Sequence, residues 1–66
     1  MKIIINGTAH ELGAGTSVGD AVRLVTTSAS GIAAAVNGEV VRRACWDSTP
    51  VADGDLVEVI TAAQGG

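Results

Sequence analysis

The sequence predicts an α+β fold, a mixed sheet of four to five strands packed on one helix, and three features lead there. An apolar, largely β-branched run near each end, Ile3-Ile4-Ile5 and Leu56-Val57-Glu58-Val59-Ile60, reads as a strand. Asn-Gly pairs at 6–7 and 37–38 lie between β-forming segments; a type I′ hairpin turn needs positive φ at both central positions, which Asn and Gly tolerate. Between the two hairpins, Val18, Ala21, Val22 and Val25 recur at i, i+3, i+4 and i+7, one face of a helix.

Residues 1–6 hold three consecutive isoleucines, the pattern of a strand buried on both faces at the centre of a sheet. Residues 8–12 return as its hairpin partner, and Gly13-Ala14-Gly15 breaks the pattern. Thr16 or Ser17 caps the helix, and Asp20, three residues after Ser17, completes a capping-box spacing. Leu24 is expected to widen the buried stripe. The helix should fade over 26–31, where hydroxyl side chains compete for the backbone and Gly31 offers a left-handed stop. Residues 32–36 and 39–41 form a second hairpin, 42–50 are irregular, and Asp53-Gly54 turns the chain into a last strand at 56–60. That strand, apolar like the first, fits beside it in parallel, with the helix covering one face through a right-handed crossover. The expected organisation is one domain, 1–61, followed by a tail, 62–66.

Composition excludes several classes of function. A chain of 66 residues supports one small core and no deep cleft. Cys45 is the single cysteine, so an intramolecular disulfide or a cysteine-ligated cluster cannot form, as suits a reducing cytoplasm. The N-terminal apolar run ends at Asn6-Gly7, too short for a signal peptide or a membrane span, so no membrane partner is expected. A net charge of -3 repels phosphate backbones, and Trp46 alone offers no stacking platform, so nucleic acid is not expected either. Acids in the second half, at 39, 47, 53, 55 and 58, either steer a basic protein partner or keep a solvated face.

The tail carries the functional expectation. Gly65 and Gly66 have no Cβ, so this backbone can enter a channel too narrow for other residues. Residues 62–66 span roughly 16 Å when extended, enough to carry the carboxylate of Gly66 from a domain surface into another protein's active site. Ordering each tail residue costs about 1–2 kcal/mol, so affinity for such a partner must come from the body.

In this order of elements, the string Val36-Asn37-Gly38-Glu39-Val40-Val41-Arg42-Arg43-Ala44-Cys45-Trp46, then Val51-Ala52-Asp53-Gly54-Asp55-Leu56-Val57-Glu58-Val59-Ile60 and the Gly65-Gly66 end, resembles the ubiquitin-like sulfur carriers. The likeness is greatest to the thiamine-biosynthesis carriers of the ThiS family and covers essentially the whole chain. It implies a β-grasp fold and a carrier that is not itself an enzyme. It further implies that the Gly66 carboxylate is adenylated with ATP by a ThiF-like adenylyltransferase, with Gln64 and Gly65 inserted beside it. The adenylate would become a thiocarboxylate, with sulfur from a donor such as a cysteine desulfurase, and give that sulfur to a ThiG-like thiazole synthase. No cofactor would be bound by the chain, since Gly13-Ala14-Gly15 lacks the Gly-Lys-Ser/Thr ending of a phosphate loop. A MoaD-like carrier for molybdopterin synthesis would use the same tail; a ubiquitin-like modifier or plain interaction module is the alternative from another class.

Single residues divide accordingly. A persulfide-relay or thioester role for Cys45 finds no neighbouring His or Lys to activate the thiol, and a catalytic or metal role for His10 finds no companion acid or serine at recognisable spacing, so neither supports an enzyme. Trp46 is read as either an interface anchor or a cap on a core of small aliphatics. Arg42 and Arg43 would pair with Asp47 or with a partner's acids. Arg43 and Trp46 are thus the candidate partner surface.

Overall fold

A computed structural model of the chain describes residues 1–27 and 31–61. In chain order the elements are strand β1 (Lys2–Ile5), strand β2 (Thr8–Glu11), helix α1 (Val18–Val25), strands β3 (Ile32–Val36) and β4 (Glu39–Val41), a 3-10 helix (Arg43–Ser48) and strand β5 (Leu56–Thr61). The five strands form one mixed sheet in the order β2-β1-β5-β3-β4. Only β1 and β5 run parallel; β1–β2, β3–β4 and β3–β5 are antiparallel. The last strand therefore occupies the centre of the sheet, and β1 lies beside it as expected.

Both Asn-Gly pairs form tight turns with positive φ at each residue: 50° and 83° at Asn6 and Gly7, 51° and 86° at Asn37 and Gly38. Neither asparagine stops at turning the chain. The Asn6 side chain exchanges two hydrogen bonds with the backbone of Val59, and Asn37 Oδ1 accepts from the Leu56 N–H at 3.0 Å. The hairpin turns thus clamp β5 from both sides.

Ser17 is the helix N-cap. Its hydroxyl accepts from the Asp20 N–H, and its own N–H donates to Asp20 Oδ2, both at 3.1 Å, so the capping box is complete. The cap is pinned further, because Val18 N–H donates to Thr49 O and Val51 N–H to Thr16 O, tying the start of α1 to the chain that leaves the 3-10 helix. Val18, Ala21 and Val22 of α1 pack on Ile3, Ile5, Ala34, Val57 and Val59, and Trp46 and Val51 close the core.

Four sequence expectations are corrected. Ile4 is only half-buried while Ile3 and Ile5 are buried: one helix covers one face of the sheet, and nothing among the described residues covers the other. Leu24 is 52% exposed and does not widen the stripe, since α1 is only two turns long and its buried face ends at Val22. The helix stops at Thr26, an extended C-cap whose N–H still donates to Val22 O, rather than at Gly31. Gly31 does have positive φ, but directly before β3. Finally, 43–48 is a regular 3-10 helix rather than an irregular stretch. The expected fading of the helix through 28–30 lies outside the described residues.

Candidate functional site

The expected site at Gln64, Gly65 and Gly66 lies outside the described residues; what the structure does place is the root from which it grows. β5 pairs with β3 from Val57 onward, the final pair being Ile32 with Thr61. On its other side the β1–β5 ladder ends at Ile5 and Val57, and Asn6 prolongs it: Asn6 N–H donates to Val57 O at 2.9 Å before its side chain takes up Val59. Residue 62 therefore follows a strand bonded on both flanks as far as Val59 and on one flank as far as Thr61.

Side chains of β5 alternate between faces. Val57 and Val59 enter the core, whereas Leu56 and Ile60 are each 54% exposed on the open face. Strand register places Ile4 opposite Leu56 and Ala33 opposite Ile60 on that face, so an apolar strip runs along the strand that leads to the tail. Glu58 interrupts it with a charge.

The second candidate surface lies at the other layer, where α1 meets the 3-10 helix. Trp46 is buried, 8% exposed, and its Nε1–H donates to Val41 O at 2.9 Å. It therefore caps the core, and its polar edge is satisfied. The Arg43 guanidinium carbon lies 5.3 Å from the centroid of the Trp46 ring, a cation–π arrangement. The expectation that Arg42 or Arg43 pairs with Asp47 is corrected. Arg23 of α1 takes that partner, Nη2 to Oδ1 at 3.0 Å, and reaches Asp20 at 3.6 Å. Val22, Arg23, Thr26, Thr27, Arg43, Trp46 and Asp47 together line a groove of about 450 Å³.

Arg23 and Gly19 were missed from sequence, and only one of them left a signal. A glycine inside a helix costs about 1 kcal/mol against alanine, which asks for a packing reason: Gly19 is buried, and a Cβ there would run into Asp47 Oδ1. The Arg23–Asp47 pair joins residues 24 apart in sequence, a separation with no local pattern.

Asp20 is held away from its usual range. Its carboxyl is kept below the ordinary carboxylate value, first by the Ser17 N–H it accepts, then by the Ser17 hydroxyl, with Arg23 adding a smaller pull. Three acids expected to steer a partner have internal work: Asp47 holds Arg23, Asp53 Oδ1 accepts the Lys2 N–H, and Asp55 Oδ2 accepts the Ala52 N–H. Cys45 is exposed, and His10 is half-buried in β2 opposite Ile3. Among the described residues, no three of His, Cys, Asp and Glu gather as a metal site, and no helix is long and apolar enough to cross a membrane.

This five-strand mixed sheet with a single helix across one face, its last strand in the centre and feeding a terminal segment, is a ubiquitin-like β-grasp domain. The model of the ThiS family matches residues 3–66, nearly the whole chain and including the diglycine. The chain belongs to the ThiS family. Among solved structures it is similar to the crystal structure of thiamine biosynthesis protein ThiS from Geobacter metallireducens, with 33% identity, a TM-score of 0.80 and complete coverage of both chains. It is also similar to a solution structure of a thiamine biosynthesis protein from the same organism, with 28% identity and a TM-score of 0.74, covering 100% of this chain and 88% of that one. No curated protein sequence matches it.

Proposed function

We propose that this chain is the sulfur carrier of a thiamine-forming pathway, and that the Gly66 carboxyl group is its cargo site. The observation that carries the reading is the family match through Gly66, on a fold whose central strand leads into that segment. Two glycines at the end leave the terminal carbonyl without side-chain shielding, and the paired root at Thr61 gives the tail a defined point of departure.

A carboxylate resists nucleophiles because its charge is delocalised over both oxygens. In the proposed cycle a ThiF-like adenylyltransferase lets a Gly66 oxygen attack the α-phosphorus of ATP, with pyrophosphate leaving. A sulfur nucleophile then adds to the Gly66 carbonyl carbon. The C–O bond to AMP breaks with its electron pair going to AMP. Where the nucleophile is the donor's persulfide, the product is an acyl disulfide. A second thiol on the enzyme partners then attacks the donor's sulfur, so that the S–S bond breaks, a disulfide forms between the two thiols and the thiocarboxylate leaves. Sulfur enters from a donor such as a cysteine desulfurase and passes on to a ThiG-like thiazole synthase. The chain contributes presentation, converting a chance encounter into a positioned one; nucleotide chemistry belongs to the partner. Gln64 and Gly65 occupy the partner's channel beside Gly66.

Intact mass spectrometry after incubation with ATP, a ThiF-like enzyme and a sulfur donor tests this. Exchange of one terminal oxygen for sulfur is expected, and deletion of Gly66 should abolish it while leaving the fold and initial binding intact. Adenylate formation by the truncated chain, or conjugation of the chain to lysines in place of sulfur exchange, would overturn the reading.

A further inference from the structure

The groove between α1 and the 3-10 helix contains an arginine whose charge is placed but unspent. Trp46 is locked by burial and by its bond to Val41 O, and Arg43 lies over it at 5.3 Å. Stacking on a ring face engages the π side of a guanidinium and leaves its in-plane N–H donors for other acceptors. Among the described residues no carboxylate meets Arg43, because the acids on this side, Asp20 and Asp47, are both drawn to Arg23. The Thr26 and Thr27 residues border the same groove, and Val22 lies in its wall. Three of the chain's four basic side chains, Arg23, Arg42 and Arg43, belong to α1 and the segment entering the 3-10 helix. On a chain of net charge -3, the groove's own lining carries two arginines against one aspartate, a local excess of positive charge that suits an anionic group.

We propose that this groove is a docking site for an acidic side chain, Glu or Asp, on the surface of the enzyme that handles the tail. Its carboxylate pairs with the in-plane donors of Arg43, and its methylene portion lies against Trp46. The planar fork of a guanidinium is pre-organised, so less entropy is lost for each hydrogen bond formed when a carboxylate arrives. A guanidinium also takes a carboxylate through two parallel hydrogen bonds, which fixes orientation as well as proximity. The groove thus orients the body while β5 aims the tail. The proposal takes from the carrier reading only that an enzyme grips the body, not the chemistry at Gly66.

The test is the affinity of the full chain for a ThiF-like adenylyltransferase and for a ThiG-like synthase, compared for wild type, Arg43→Glu, Arg43→Lys and Arg42→Glu at low and moderate salt. Arg43→Glu is expected to weaken binding to at least one enzyme by roughly tenfold or more, the scale of removing one partner from a close interfacial charge pair. Arg43→Lys should retain part of the affinity, and Arg42→Glu should have a smaller effect than Arg43→Glu. Matching thermal midpoints and amide spectra would show that the variants are folded. Binding of Arg43→Glu within twofold of wild type to both enzymes overturns the proposal. So does a saturable change in Trp46 fluorescence with ATP or AMP alone that Arg43→Glu abolishes, since the occupant would then be a nucleotide phosphate. Thiocarboxylate formation by the unaltered chain, read by mass in parallel, decides the carrier reading separately.

Discussion

The side-chain amide of Asn6 grips the backbone of Val59 from both sides of its peptide chemistry: Asn6 Nδ2 donates to Val59 O at 3.2 Å, and Val59 N–H donates to Asn6 Oδ1 at 2.8 Å. Asn6 has left the strand by this point, with φ of 50°, so a turn residue continues the hydrogen-bonding of the sheet. The strand it serves is the one that carries the tail. A single asparagine therefore links the first hairpin to the central strand of the sheet.

Asn6→Gly keeps the left-handed backbone available and removes only the amide. Two hydrogen bonds at about 0.5–1.5 kcal/mol each put the loss at roughly 1–3 kcal/mol in denaturant unfolding. Amide exchange should accelerate at Val59 beyond the change in global stability. Unaltered protection at Val59 would show that the side-chain pair does not hold the strand.

Trp46→Ala should cost about 3–5 kcal/mol, the usual range for emptying a large aromatic site. For a domain of this size, with roughly 3–10 kcal/mol in hand, that leaves much of the population unfolded at ambient temperature. Trp46→Phe retains most of the packing but strands Val41 O, at about 1–3 kcal/mol. Circular dichroism melts of the two variants separate the packing from the hydrogen bond.

Gly19→Ala should push Asp47 away from α1 and break its bond to Arg23, because the new methyl group would occupy the place of Asp47 Oδ1. The exposed ion pair contributes about 0–1 kcal/mol, and alanine gains up to about 1 kcal/mol of helix propensity over glycine. Stability should therefore change by less than about 1 kcal/mol while the Arg23 side-chain resonances lose their dependence on Asp47. An intact Arg23–Asp47 pair in the variant would contradict the steric account.

Asp20 makes stability depend on acid. Its folded pKa lies below the unfolded value, so its contribution is complete above the ordinary carboxylate range, near about 3.9. It is lost progressively as pH falls through that value towards the lower folded pKa. In urea titrations, the advantage of wild type over Asp20→Asn should be largest near neutrality and shrink below about pH 4. An advantage that stays constant down to pH 2 would mean that the capping box does not depend on ionisation.

Much of this molecule was legible because its signals are local. Asn-Gly at 6–7 and 37–38 specifies its own backbone torsions, Ser17 with Asp20 specifies a cap, and β-branched runs specify strands. Each of these needs only a few neighbouring residues to act, and so do the diglycine and the motif string on which the likeness to the ThiS family rested. The parallel placement of β5 beside β1 also followed, since two apolar strands with a helix between them have few ways to bury both, whereas the antiparallel pairing of β5 with β3 was not read. What depends on distant partners was not legible. Whether Leu24 is covered is decided by where the sheet ends beneath α1, and Ile4 faces a side that the single helix cannot reach. Arg23, rather than Arg42 or Arg43, holds Asp47 because Gly19 lets the 3-10 helix approach, which frees Arg43 to lie on Trp46. Sequence patterns encode the conformation of a segment and the face it hides. The choice among competing long-range partners is made by packing, which sets distances that no local spacing records.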